Sequence, residues 1–415
     1  MPESPADAAD LARAALEWLL ALARPDGAAL TWSGRPDDDE FDPTLYSGTA
    51  GIVVALLEGY EHFGDDRFAA AALRGTRAVA EAAGRQWEHS SLYFGLAGLA
   101  FALRATARML GDGAAAVAAA RALDLVRSRF DGERWSSQFE LLGGNAGIAL
   151  AAIDAGDLDL AVLAVTPYLA TAEPTAGGVH WEVLAGAPAR FHHISHGTLG
   201  IVFALAATGR AAGRPDLVEL AIAGAADVVS RNEAGRDGFL VPHSDPQHKP
   251  DLIERYSYGW CHGPAGDAQV FRLLAGVTGD PAWTSLADRC WQTVIGSGLP
   301  ARLRPGFWDN SGRCCGTAGV LALACDRQVE RGDGPEFAGV LAEDLAARGT
   351  VDALGARWSN YEHRATPSVL APRTGWAMGN AGIIRELLRY ARIQGGQGAG
   401  YAIDWPDHPP FLGER

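Results

Sequence analysis

The sequence predicts an all-α fold, an α/α toroid of seven inner and seven outer helices. Three observations carry that prediction. A Gly-x-x-Gly phrase running into an apolar stretch recurs seven times, with first glycines at 48, 95, 144, 197, 263, 316 and 379. A second, more charged helical stretch lies between successive copies. Strand signal is scarce, with no sustained alternation of apolar and polar residues and no Asn-Gly hairpin. A repeat spaced by about 47 to 66 residues marks an architecture in which each unit buries its apolar face against its neighbours. Closure into a ring buries the inner face of every helix pair.

The predicted outer helices lie near 5–23, 66–83, 113–129, 158–170, 214–231, 281–296 and 335–348. The stretch at 214–231 is typical: Leu217, Leu220, Ile222, Val228 and Val229 fall near helical spacing, with Asp and Arg opposite them. The inner helices follow the glycines in "SGTAGIVVALLEG", "FGLAGLAFALR", "GGNAGIALAAI", "SHGTLGIVFALA", "WCHGPAGDAQVF", "CCGTAGVLALAC" and "MGNAGIIRELL". Their first turns are nearly free of charge, as in helices buried on most sides. Glycine at their entry is expected to supply positive φ and close backbone approach. The longest stretch between repeats, about 232–260, reads as a structured loop or short hairpin beside the ring mouth. The tail "DWPDHPPFLGER" reads as an extended cover segment without chemistry.

The repeats run without a linker-like break, which predicts one domain over 1–415. Apolar residues at 48% and charged residues at 20% suit a folded soluble protein. A net charge of −15 disfavours nucleic acid and anionic membrane surfaces as partners. No apolar run reaches the roughly 20 residues of a membrane span, and the acidic, amphipathic start lacks the basic head of a signal peptide. Five cysteines form no disulfide framework. A cytoplasmic protein with reduced thiols is expected.

Chemistry concentrates just before the glycines of copies four, five and six. Copy four has His196, copy five has Trp260, Cys261 and His262, and copy six has Cys314 and Cys315. A toroid brings equivalent positions to one mouth. Three thiols with one or two imidazoles there suit a tetrahedral zinc site that keeps a position open. Helix N-termini would favour the thiolate form. Cys290 and Cys325, inside helical runs, read as buried small hydrophobes.

With "SHGTLG", "WCHGPAG" and "CCGTAG" set in seven repeats, the chain resembles the LanC-like lanthionine synthetases, the lanthipeptide cyclases, over nearly its whole length. The resemblance implies the toroid fold, one Zn²⁺ held by Cys261, Cys314 and Cys315, and a catalytic His196. The Cys-Cys pair resembles the three-cysteine subset, since many stand-alone members have Cys-His there. Family members commonly carry Asp four residues before the third-repeat glycine, where this chain has Glu140. The implied reaction is addition of a peptide cysteine to dehydroalanine or dehydrobutyrine, closing a thioether ring. His196 would protonate the α-carbon and Glu140 would orient it. His262 and Trp260 would support the site, with His192 and His193 as lesser candidates and Asp267 as a first-turn dipole residue. The implied partners are a dehydrated precursor peptide and a separate dehydratase. Rival readings are addition of a small thiol such as glutathione, a non-catalytic thiol- or peptide-binding relative, a zinc-thiolate prenyltransferase-like enzyme, and a carbohydrate-active α/α barrel.

Overall fold

The structure is a computed structural model and describes residues 5–301, 310–398 and 400–409. Seven helices follow the glycine phrases: α2 (Thr49–Phe63), α4 (Leu96–Leu110), α6 (Asn145–Ala155), α9 (Thr198–Ala212), α11 (Pro264–Thr278), α13 (Thr317–Arg331) and α15 (Asn380–Gln394). They alternate with α1 (Pro5–Ala21), α3 (Asp66–Gly84), α5 (Gly113–Ser128), α7 (Leu158–Val165) with α8 (Pro167–Thr171), α10 (Pro215–Val229), α12 (Pro281–Ile295) and α14 (Glu336–Arg348). Every expected helix is present. The fourth outer one is split, because Pro167 at the first position of α8 cannot continue the hydrogen-bond ladder of α7.

The chain packs as two compact units. The first comprises Met1–Trp87, Gly98–Ala122 and Pro300–Asp404; the second comprises Glu88–Ala97, Leu123–Leu299 and Trp405–Arg415. In the first unit α13, α15 and α2 pack side by side, with α14, α1 and α3 outside them. In the second, α6, α9 and α11 form the row, backed by α7, α10 and α12. The row helices are buried nearly all round, as at Ile201, Val202, Phe203, Ala204 and Leu205 of α9. Helix α15 departs from the apolar rule. Its buried Arg385 and Arg392 pair with Glu58, Glu386 pairs with Arg313, and Arg389 pairs with Asp326 at 2.7 Å. Each buried charge is thereby matched, as burial demands.

Several outer helices start on aspartate caps: Asp65, Asp157 and Asp280 accept from backbone N–H groups of α3, α7 and α12. Row helices start on glycine without a side-chain cap. Their first N–H groups donate instead to carbonyls seven residues back, as Thr49 to Asp42 at 2.8 Å, Leu199 to His192 at 3.0 Å and Asn380 to Arg373 at 3.0 Å.

The glycines therefore act differently from expectation. The first glycines at 48, 144, 197, 263, 316 and 379 have φ between −121° and −167°, open to any residue. What excludes a side chain is proximity. A Cβ on Gly48, Gly263 or Gly379 would lie 2.1 to 2.4 Å from a carbonyl oxygen six residues back. Positive φ occurs at the other end, where Gly64, Gly156, Gly213, Gly279 and Gly332 close the row helices at φ 63° to 75°.

In five of the phrases the second glycine locks one repeat to the next. A Cβ on Gly147, Gly200 or Gly266 would meet Leu92, Leu141 or Ile194, each the residue three before the preceding repeat's first glycine. Gly51 meets Trp376 and Gly382 meets Arg313 in the same way. Gly266→Ala is a severe case, with its Cβ 1.8 Å from the Trp260 oxygen. It should cost about 1–3 kcal/mol or more through forced backbone movement. A lowered urea midpoint checks this; an unchanged midpoint contradicts the interlock.

Among the described residues, ten short strands pair into five antiparallel two-stranded ladders, which the sequence did not announce. Hairpins join β1 (Arg24–Asp26) to β2 (Ala29–Thr31), and β3 (Glu173–Pro174) to β4 (Val179–His180). The third ladder unites distant segments: β5 (Arg190–Phe191) pairs with β6 (Ser244–Asp245). The 232–260 stretch thus braces an earlier loop rather than folding into its own hairpin. Later hairpins join β7 (Thr350–Asp352) to β8 (Gly355–Arg357), and β9 (Asn360–Tyr361) to β10 (Val369–Leu370). The tail is buried at Trp405 and Asp407, and Asp407 accepts a 2.5 Å hydrogen bond from Tyr93. It is built in, rather than a plain cover.

Candidate functional site

The residues before the row helices are set by backbone hydrogen bonds between adjacent repeats. Each bond joins the residue two before one first glycine to its counterpart in the next copy. In the first unit, Cys314 N–H donates to Ala377 at 2.8 Å and Ala377 N–H to Tyr46 at 2.9 Å. In the second, Tyr93 N–H donates to Leu142 at 3.2 Å and Ser195 N–H to Cys261 at 3.3 Å. Cys261 and Cys314 are therefore members of rigid turns rather than loose loop residues.

In the first unit, Cys314 is buried and Cys315 half-buried, with sulfurs 3.4 Å apart. That far exceeds a disulfide bond of about 2.05 Å. It is close to the edge of about 3.8 Å expected of a thiolate tetrahedron with metal–sulfur bonds near 2.3 Å. The Tyr46 hydroxyl donates to Cys314 Sγ at 3.5 Å. Tyr46, unforeseen from its residue type, reaches Cys314 from the first repeat, a copy without cysteine or histidine before its glycine. The helix-terminus argument for thiolates is corrected: both cysteines precede the helix, and the first N–H groups of α13, on Thr317 and Ala318, already donate to Asn310 and Ser311.

In the second unit, Cys261 is buried, and its carbonyl also accepts from Ser195 Oγ at 2.7 Å. Trp260 is buried against Tyr93, with ring centroids 6.0 Å apart. His196 Nδ1 lies 3.3 Å from Glu140 Oε1, and the imidazole is about one-third exposed while Glu140 is buried. Glu140 is itself fixed by the Leu142 N–H and by the Gly143 N–H at 3.2 Å. The longer carboxylate thus reaches His196 through Nδ1.

His262 stacks on His196 at 5.4 Å between centroids and touches His243 at 4.2 Å. Burial first, then the neighbouring imidazoles, pushes its pKa well below the usual histidine range. Of the two upstream candidates, His193 joins this cluster and His192 lies buried beside it. Asp267 is corrected from a dipole residue to a buried partner of His193, at 2.9 Å, with burial raising its pKa. His243 was missed by sequence reading, though it lies in the His-rich 232–260 loop.

A cavity of about 290 Å³ opens beside His196 and Glu140, with Val183, Leu184, Phe191 and Ile253 among its lining. Cys290 and Cys325 stand apart as buried helix residues; burial raises both thiols, Cys325 to about 12. Alkylation of the metal-free protein should therefore modify Cys315 first, and Cys290 and Cys325 only after unfolding. Peptide mass mapping over time checks the order; early labelling of Cys325 contradicts it.

The buried histidines also set a pH dependence. Burial, more than any neighbouring charge, lowers His192 and His243 to about 3. The unfolded chain binds these protons near pH 6.5, so it holds more protons than the folded one between those values. Stability is full above pH 6.5 and falls as pH drops toward 3, by up to on the order of 4 kcal/mol per histidine. Urea midpoints at pH 7.5, 6 and 5 should fall in that order; a flat series in His192→Asn/His243→Asn would assign the slope to them.

Comparison with known proteins fits this arrangement. The family profile described as "Lanthionine synthetase C-like protein" matches residues 39–249 and 245–333. The chain belongs to the LanC-like family. Nisin cyclase is similar in structure, with a TM-score of 0.63 at 13% identity, covering 94% of each chain. An unsaturated glucuronyl hydrolase specific for heparin follows at a TM-score of 0.53 and 14% identity, covering 94% of this chain and 98% of that one. No curated protein is a significant match in sequence. Family and fold together establish the all-α, α/α-toroid class, and the LanC-like fold supplies the inner and outer helices seen here as row and backing helices.

Proposed function

We propose that this LanC-like protein is a zinc-dependent lanthipeptide cyclase, acting as one domain in the cytoplasm on a dehydrated precursor peptide made by a separate dehydratase. The observation that carries the reading is the set of side chains before three consecutive row helices: His196, then Cys261, then Cys314 and Cys315. We propose that these three cysteines together hold one zinc ion. The donor set suits it: all three are thiols, none is in a disulfide, and two have sulfurs 3.4 Å apart. Bound there, zinc supplies the Lewis acidity that keeps the peptide's cysteine as thiolate at neutral pH.

The protein's own residues do the rest. The thiol sulfur bonds to the β-carbon of the dehydroalanine or dehydrobutyrine, the double bond closes onto the α-carbon, and the thiol proton ends there. Nothing leaves and no oxidant is needed. His196, oriented by Glu140, is the group that carries the proton. His262 keeps the His196 ring in place by stacking, and Trp260 fills the space behind Cys261. Among the described residues no helix is long and apolar enough to cross a membrane. A glycosidase reading needs two facing carboxyl groups, and among the described residues the cavity at His196 has Glu140 alone.

Ring closure is an isomerisation, so peptide mass stays constant while free thiols disappear. Incubation of the zinc-loaded protein with dehydrated precursors, followed by alkylation, should show one thiol lost per ring. Undiminished thiols with every cognate precursor would overturn the reading.

A further inference from the structure

Three inter-repeat segments are braced into a wall beside His196. The β5–β6 ladder ties Phe191 to Ser244, the isolated bridge Gln138–Leu184 ties the Glu140 turn to a second segment, and Phe139 N–H donates to Val183 at 2.8 Å. Among the described residues, the other ladders join strands within one inter-repeat segment. Here the chain has committed its loops to enclosing a preformed cavity of about 290 Å³ that starts at the His196–Glu140 pair.

The lining has a definite chemistry. Val183, Leu184, Phe191 and Ile253 make an apolar side, with Val183 and Phe191 buried. Among the described residues no lysine or arginine lines the cavity, and the carboxylate there is Glu140. His243, edge-on to Phe191, is kept uncharged by burial at neutral pH. Such a space accepts a branched aliphatic or aromatic side chain, gaining its transfer from water. An aspartate or glutamate there would lose its hydration, meet no fixed cation and face Glu140.

We propose that this cavity is a specificity pocket for the side chain of the peptide residue flanking the dehydrated acceptor, and that it selects apolar over acidic residues. The proposal rests on the cyclase reading for the identity of the ligand as a peptide. An acceptor held at His196 places its neighbour's side chain within reach of the pocket, so filling it both anchors and orients the reacting alkene.

The test separates the two readings. Unreactive peptides with alanine in place of the dehydrated residue, flanked by Leu, Phe, Gly or Asp, are titrated against the zinc-loaded protein by fluorescence anisotropy. The reactive versions are followed by thiol alkylation. The Leu and Phe peptides should bind roughly ten- to a hundredfold more tightly than the Asp peptide, and kcat/KM should follow. Leu184→Trp and, separately, Ile253→Trp should fill the pocket and remove that preference, while Leu184→Ile keeps it. Equal binding of all flanks, or no binding of any, overturns the pocket. Flank-dependent binding without any thiol loss upholds the pocket and overturns the cyclase reading instead.

Discussion

Cys261→Ala is expected to bind zinc at least about a hundredfold more weakly than the wild-type protein and to lose ring formation with it. Disturbing a group that merely supports a ligand already costs 10–100-fold in affinity or activity, and a missing thiolate should cost no less. The loss would be chemical rather than structural. The Cys261 turn is fixed through its backbone carbonyl by the Ser195 N–H and hydroxyl, contacts that alanine retains. Cys314→Ala and Cys315→Ala should behave alike. Cys290→Ala serves as the control, since Cys290 is buried within α12, and it should keep its metal. Metal analysis after dialysis against a graded chelator measures the series. Equal retention by Cys261→Ala and wild type would remove Cys261 from the ligand set.

His196→Ala should lower kcat by about 10²- to 10⁴-fold, the usual contribution of a positioned general acid–base group, with zinc content unchanged. The imidazole is partly exposed on the cavity side and held from behind by a buried carboxylate. Its replacement therefore removes a proton carrier without opening the core. Glu140→Gln should give a smaller loss, because the amide oxygen can still accept from one of the Leu142 and Gly143 N–H groups while the charge that orients His196 is gone. Partial recovery of His196→Ala by added imidazole would mark proton transfer as the missing step. A full rate without His196 would exclude it from the chemistry.

The helical frame was legible in the sequence because its signal repeats. Each row helix begins at the residue after a first glycine, from Thr49 to Asn380. The reason for the glycines was half right: the close approach is there, but positive φ belongs to Gly64, Gly156, Gly213, Gly279 and Gly332 at the opposite ends. Sequence spacing cannot tell these apart, since both uses place glycine at a helix boundary. The strands were invisible because two- and three-residue pairs such as Arg190–Phe191 with Ser244–Asp245 are too short to show a period.

At the candidate site, His196 and Glu140 were legible from their places before the glycines of copies four and three, and they meet as expected. Asp267 was misread because an acid in a first turn has an ordinary explanation; only packing reveals that His193 lies against it. Tyr46 and His243 come from segments distant in sequence from their contacts, and no local pattern encodes such a pairing.

The most direct test of the central claim is the count of sulfur atoms around bound zinc, read by X-ray absorption with and without a cysteine-containing dehydrated peptide. Three protein sulfurs in the resting protein, rising to four when the peptide binds and reverting when its cysteine is replaced by serine, is the expected result. A zinc shell that is unchanged by the peptide, or that holds fewer than three sulfurs at rest, would contradict it.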